Sequence, residues 1–316
     1  MQNLTDIDFD ALSRFDERYI SDRSACIDNT LQSGGILRLT NFSSSADEVR
    51  NVGRSFFGLP SSVKSRYAMT GGTYSNGWGC VPVSNGCADE SATNPNILEF
   101  FRCGPASFSD DASKGRYYPI NQWPSELPDL QRVLTRYSRR MLSVGGLVLR
   151  MLTRVLTIEE SFFVERTRQT IWSQGVNYYS SLGRVGPARD SQLRMPSHTD
   201  FSTVSLIERD SNSIPLQVES RGSWSDVRHD DRTVIVILGD MMERWTGGRW
   251  RATQHRVSAP LDDNSDEDLI SLVFFLAADS DAIISPLPEP CGGSVKFEPI
   301  KAGEYILQKM AALRLQ

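Results

Sequence analysis

Two textures of apolar and polar residues divide the chain. Between Leu127 and Leu156, apolar residues recur every third or fourth position, through Leu130, Val133, Leu134, Tyr137, Met141, Val144, Val148, Met151 and Leu152. That spacing lines one stripe of a helix and predicts a long buried scaffold helix. Gly145-Gly146 within it marks either a kink or a close packing contact. From Gln174 onward the period shortens to that of strands. Apolar runs at 176–179, 193–195, 203–208, 216–219, 224–227, 233–238, 252–257 and 270–276 are separated by turn residues, as expected for a sandwich or barrel. Thr246-Gly247-Gly248-Arg249 has the centre of a tight hairpin.

The first third is mixed. Helices are expected at 22–31 and 45–57, the second capped by Ser44 or Ser45 and ended by Leu59-Pro60. Strands are expected at 36–39 and 97–102. The Gly-, Ser- and Asn-rich stretch 70–94 reads as an ordered loop around Trp78, 107–123 as irregular, 262–268 as an acidic solvated connection, and 302–313 as a terminal helix. The division that follows is an N-terminal α/β region, 1–105, and a long helix with a β core and C-terminal helix, 106–316, forming one compact unit.

Composition narrows the function. The chain has 316 residues, 39% hydrophobic and 23% charged, with a formal charge of −5. A mildly acidic chain without a basic run is a poor partner for nucleic acid or an anionic membrane, so a small-molecule substrate is expected. The longest apolar runs, 234–238 and 272–278, are too short to span a bilayer. Five cysteines (Cys26, Cys80, Cys87, Cys103, Cys291) lack CxxC spacing, and the N-terminus lacks the features of a signal peptide. These read as reduced thiols in a cytoplasmic protein, a monomer or small homo-oligomer.

The chemistry is concentrated in the histidines, of which there are three. His198 and Asp200 form a His-x-Asp pair heading an apolar stretch, and His255 lies in the strand-like Ala252-Thr-Gln-His-Arg-Val257. On a strand, positions i and i+2 share a face. Two neutral imidazoles and one carboxylate are the facial triad of non-haem Fe(II) oxygenases, which leaves coordination positions open for co-substrate and dioxygen. His229, in a polar turn, reads as exposed.

Several runs carry a resemblance. Gly175-Val-Asn177-Tyr-Tyr179, His198-Thr-Asp200-Phe-Ser-Thr-Val-Ser-Leu, Leu216-Gln-Val with Gly222-Ser-Trp224, Leu238-Gly-Asp240 and His255-Arg-Val resemble the 2-oxoglutarate- and Fe(II)-dependent dioxygenases, in particular the isopenicillin N synthase-like branch. Gly35-Ile-Leu-Arg-Leu, Ser55-Phe-Phe-Gly-Leu-Pro60, Lys64, Asn76-Gly-Trp78-Gly and Leu98-Glu-Phe-Phe101 extend it to that branch's N-terminal domain. The resemblance implies a mainly β protein with flanking helices, built on a double-stranded β-helix (jelly-roll) core. It implies iron on His198, Asp200 and His255, with 2-oxoglutarate and dioxygen as co-substrates. The implied reaction oxidises a C–H bond of a small molecule in specialised metabolism, by hydroxylation, desaturation or oxidative cyclisation.

The chain departs from this pattern at one point. Relatives hold the far carboxylate of 2-oxoglutarate with an Arg-x-Ser after the last histidine; here Ser271 is present, but the arginine position is Leu269. Leucine offers a buried carboxylate nothing. Arg194, Arg256 and Tyr179 are candidate substitutes, with Asn177 beside them. Two other readings stay open at this point: an isopenicillin N synthase-like oxidase that does not use 2-oxoglutarate, and a ligand-binding member without turnover. Asn76, Trp78, Phe101 and Phe201 are candidate substrate-pocket residues, and 183–190 a candidate lid.

Overall fold

The computed structural model describes residues 4–69, 76–81, 98–105, 117, 119–181, 193–211, 214–258 and 267–313. In chain order its elements are β1 (Leu4–Asp8), α1 (Phe9–Ser13), α2 (Glu17–Gln32), β2 (Ile36–Thr40), α3 (Ala46–Phe57), α4 (Ser61–Lys64), β3 (Gly77–Val81), β4 (Leu98–Cys103), α5 (Pro128–Leu156) and α6 (Ser161–Glu165). Then follow β5 (Thr170–Tyr179), β6 (Met195–His198), β7 (Val204–Arg209), β8 (Leu216–Ser220), β9 (Ser223–Asp226), β10 (Val234–Leu238), α7 (Asp240–Trp245), β11 (His255–Val257), β12 (Leu269–Asp279), β13 (Ile283–Ile284), β14 (Ile300–Lys301) and α8 (Ala302–Leu313).

Two sheets face each other. The larger runs β1-β2-β10-β7-β12-β5-β4-β3 and the smaller β6-β11-β8-β9. The stretch 1–105 therefore contributes four strands to the same sheet that carries β5, β7, β10 and β12. Between the sheets lies an apolar cluster that includes Tyr179, Ile207, Leu216, Val218, Ile235, Val257 and Leu269. Outside the larger sheet lies the main core, where α5 and the N-terminal helices pack. Strands β7, β10 and β12 are buried on both faces, which explains their unbroken apolar runs.

The long helix forms where its periodicity predicts, without a break. Pro128 occupies the first turn, where its missing N–H costs nothing, and Thr157 ends the helix in the left-handed conformation with φ 57°. Gly145 is a packing contact, because a Cβ there would lie 2.6 Å from Leu276 Cδ2; at Gly146 nothing lies within 4 Å. Helix α3 is tied to the sheet through charge. Arg54 contacts Asp210 at 2.5 Å and Asp268 at 2.9 Å, and Tyr178 donates to Asp268 at 3.2 Å. Most of the acidic connection 262–268 lies outside the described residues.

One expectation needs correction, and one strand is not foreseen. Thr246-Gly247-Gly248-Arg249 is not a hairpin but the exit of a short helix, α7, for which the sequence carries no periodic signal. Gly247 and Gly248, at φ 55° and 75°, donate to the carbonyls of Arg244 and Glu243 and turn the chain off the helix end. The first strand, β1, is likewise absent from the sequence reading. It pairs parallel with β2 in register Leu4↔Ile36 through Asp8↔Thr40. The loop expected at 70–94 falls mostly outside the described residues, as does much of 107–123.

The two adjacent glycines should separate in a stability measurement. Gly146→Ala is expected to stabilise the fold by about 0.5–1 kcal/mol through helix propensity alone. Gly145→Ala forces a methyl group onto Leu276 and is expected to lose about 1 kcal/mol or more. Urea unfolding midpoints at constant slope check both.

Candidate metal centre

Strands β6 and β11 are antiparallel neighbours, and their register places His198 directly opposite His255. Asp200 follows two residues beyond His198, at the turn into β7. His198 Nε2 lies 3.7 Å and His255 Nε2 3.8 Å from Asp200 Oδ1, and the imidazole centroids are 4.2 Å apart. The ligand atoms of all three lie within 4.8 Å of one another, so a single ion can reach them together.

The backbone sets the tautomer of each ring. His198 Nδ1 is 2.8 Å from the Pro196 carbonyl, and His255 Nδ1 is 3.0 Å from the Thr253 carbonyl. A carbonyl only accepts, so each ring carries its proton on Nδ1 and turns the Nε2 lone pair toward Asp200. Burial lowers the His255 pKa, opposing the raising effect of Asp200, and favours the neutral ring that a metal requires. Asp200 Oδ2 is buried with no hydrogen-bond partner among the described residues. A buried carboxylate oxygen left unsatisfied beside two lone pairs is costly unless a cation completes the set. The donor set fits a divalent metal.

The turn that carries Asp200 is braced from behind. Its carbonyl accepts from Asp240 N at 2.8 Å, and the Asp240 carboxylate accepts from Tyr305 at 2.9 Å and Lys309 at 2.8 Å. Gly239 permits this approach, since a Cβ there would meet the Ser202 carbonyl oxygen at 2.2 Å.

The three ligands open into a cavity between the sheets. Its wall on the larger sheet includes Arg102, Asn177, Tyr179, Arg209, Leu269, Ser271, Val273 and Phe275; Met195, Leu216 and Val257 face them from the smaller sheet. Burial pushes the Tyr179 phenol up to about 12, so it is a neutral hydroxyl near pH 7. Burial also brings Arg209 down to about 10, and it stays a cation.

The model of the 2OG-Fe(II) oxygenase superfamily matches residues 144–278, which include all three candidate ligands. The non-haem dioxygenase N-terminal model matches 7–126. Validamycin A dioxygenase of Streptomyces hygroscopicus subsp. limoneus is 37% identical over 309 residues, covering 96% of this chain and 84% of that protein. The chain belongs to the 2OG-Fe(II) oxygenase superfamily. The 2-oxoglutarate-dependent dioxygenase gloF of Glarea lozoyensis is 27% identical over 89% of this chain and 90% of its own length. Among solved structures, a full-length Neurospora crassa protein in complex with alpha-KG (2-oxoglutarate) and thymine superimposes with a TM-score of 0.81 at 21% identity, over 98% of this chain and 96% of that one. The jelly-roll expected of the core is the fold of these neighbours, and this oxygenase is an iron- and 2-oxoglutarate-dependent enzyme of that type.

The oxygenase places its other sequence-derived candidates unevenly. Asn177, Tyr179 and Ser271 line the cavity. Arg194 is buried just before β6 and donates to the Ser180 carbonyl at 3.0 Å; it is not among the described residues of the cavity wall. Arg256 points outward, because strand alternation turns it opposite to His255. It binds Gln217 at 2.7 Å and lies 4.1 Å from the Trp224 ring centre.

The four substrate-pocket candidates are not among the described residues that line this cavity. Asn76 binds the Pro119 carbonyl and Asn121. Trp78 donates to Glu99 at 2.8 Å. Phe101 packs in the outer core against Phe56 and Trp123. Phe201 sits under Lys309 at 5.3 Å. His229 is half-buried rather than exposed, and its Nε2 lies 2.8 Å from the Asp210 carbonyl. The lid candidate 183–190 lies outside the described residues.

Sequence reading passes over Arg102 and Arg209. A usable signal exists for Arg209: it ends the strand Val204–Arg209, where it shares the face of Ser205 and Ile207. Alanine at His198, Asp200 or His255 is expected to abolish stoichiometric Fe(II) binding while leaving the melting temperature of the metal-free protein unchanged or raised, because each removes a polar group from an uncompensated cluster. Equilibrium dialysis and a thermal melt in chelator check this pair of outcomes. Gly239→Ala is expected to weaken Fe(II) binding although it touches no ligand.

Proposed function

We propose that this oxygenase holds iron on His198, Asp200 and His255 and oxidises a C–H bond of a small specialised metabolite in the cytoplasm. The observation carrying the reading is the convergence of two imidazole Nε2 atoms and a buried carboxylate, one oxygen of which has no hydrogen-bond partner among the described residues, at the end of a cavity between the sheets. Bound there, ferrous iron supplies the dioxygen-activating redox chemistry that no side chain in the cavity possesses. In the overall balance one oxygen atom of dioxygen enters succinate, formed with CO2 from 2-oxoglutarate. The other enters the substrate, or leaves as water when the substrate is desaturated or cyclised.

The remaining steps belong to the chain. Asn177, Ser271 and the neutral Tyr179 offer hydrogen-bond donors to the co-substrate along one wall. Ile207, Leu216, Val257 and Val273 make the rest of that space apolar, which keeps water away from reactive species. The tautomers fixed by Pro196 and Thr253 keep both imidazoles as ligands.

Similarity to validamycin A dioxygenase along nearly the whole chain supports a substrate from specialised metabolism and makes validamycin A the first compound to assay. With Fe(II), 2-oxoglutarate and the right substrate in air, succinate is expected to form in step with a product one oxygen heavier or one hydrogen pair lighter. A chelator such as EDTA is expected to stop both, and added Fe(II) to restore them. Substrate-dependent oxygen uptake without succinate, measured by mass spectrometry and an oxygen electrode, would instead indicate an oxidase independent of 2-oxoglutarate.

A further inference from the structure

A 2-oxoglutarate bound at this metal carries a second carboxylate into the cavity, and the position that the resemblance assigns to its arginine holds Leu269, which is fully buried. Leu269 pairs with Tyr179, while Ser271 pairs with Asn177 on one side and with Arg209 on the other. Residues paired across adjacent strands share a face. Asn177, Ser271 and Arg209 thus form one rung across the cavity wall, next to the rung of Tyr179 and Leu269. Neighbouring strands lie about 4.8 Å apart, so a guanidinium from β7 reaches the space over Ser271 that an arginine at 269 would enter from β12.

Arg209 is built into this place. It is 3% exposed, and its Nη2 donates to the Ile214 carbonyl, which orients the fork. Arg209 lines the cavity, so an anion entering there meets a buried cation, which favours its binding.

The other arginines are worse placed. Arg102 sits one rung further along, across from Gly175. Its guanidinium lies so close over that glycine that a Cβ there would be 1.6 Å from Nη1, and it is 5.0 Å from the Phe275 and 5.3 Å from the Phe100 ring centre. Arg194 and Arg256 are not among the described residues that line the cavity.

We propose that Arg209, with Ser271 and Tyr179, binds the far carboxylate of 2-oxoglutarate, supplying from the neighbouring strand the charge that Leu269 lacks. This rests on the reading that the enzyme uses 2-oxoglutarate, and the test separates the two. Anaerobic Fe(II) protein is titrated with 2-oxoglutarate, and with 2-oxopentanoate, which keeps the chelating 2-oxo acid but has a methyl group in place of the far carboxylate. The readouts are the visible charge-transfer band and calorimetric heat.

In Arg209→Gln, 2-oxoglutarate affinity is expected to fall about 30-fold or more, while 2-oxopentanoate stays within about threefold. Arg102→Gln is expected to change 2-oxoglutarate affinity by less than about threefold, and Arg209→Gln with Leu269→Arg to recover most of the loss. Unchanged 2-oxoglutarate affinity in Arg209→Gln, or a large loss in Arg102→Gln alone, overturns the assignment. If Arg209→Gln fails to fold, Leu269→Arg decides: affinity held or lowered supports an already filled site, and a gain of about tenfold or more overturns it. Wild-type protein that binds Fe(II) but no 2-oxoglutarate removes the co-substrate reading, and the assignment with it.

Discussion

The structure turns on one antiparallel contact, the pairing of β6 with β11 that sets His198 opposite His255. Cross-strand neighbours on one face are close enough for their rings to meet, and a residue two positions further on returns to that face. Pro196 within β6 and Thr253, two residues before β11, supply the carbonyls that fix both ring tautomers. Ligand identity and orientation thus follow from one short ladder and the residues that lead into it. A one-residue slip of β11 against β6 would turn His255 to the opposite face, away from His198 and Asp200.

Holding that ladder in place is the task of elements remote in sequence. The carbonyl of Asp200 is caught by the start of α7, whose Asp240 is held in turn by Tyr305 and Lys309 of the last helix. At the opposite end of the cavity, Arg54 on α3 bridges Asp210 and Asp268, and Asp210 accepts from the backbone of Ile270. These contacts pin the end of β7 to the start of β12, where Arg209, Ser271 and Leu269 lie. Glu208 and Arg209 show how sharply strand alternation divides environments. Glu208 points to the helical side and accepts from Tyr137 and Ser44, with burial raising its pKa, whereas Arg209 faces the cavity.

Charge distribution gives the cavity its character. The metal end presents one carboxylate and two imidazoles, the opposite wall carries cationic arginines, and the intervening surface is largely apolar. A small dianion that bridges a metal and a guanidinium suits that arrangement. In such a setting the cation need not come from a particular strand, because adjacent strands project same-face side chains into one volume. The leucine at 269 is then a change in which strand delivers the charge.

The sequence by itself determined the elements with a strong period and the residues with special chemistry. The stripe of α5, the buried runs of β7, β10 and β12, and the ligand trio all follow from local spacing, because 3.6- and 2-residue periods are written in consecutive side chains. It misread Thr246-Gly247-Gly248-Arg249, because paired glycines serve a helix exit as readily as a hairpin. It singled out Asn76, Trp78, Phe101 and Phe201, which are not among the described residues of the cavity wall. Only the tertiary structure decided which arginines enter the cavity. Arg194 and Arg256 neighbour the ligands in sequence yet bind elsewhere, while Arg102 and Arg209, distant from His255 in the chain, line the same space. Proximity along a strand says nothing of which face a neighbouring strand presents; that is set by sheet order and register, which arise from the packing of the whole chain.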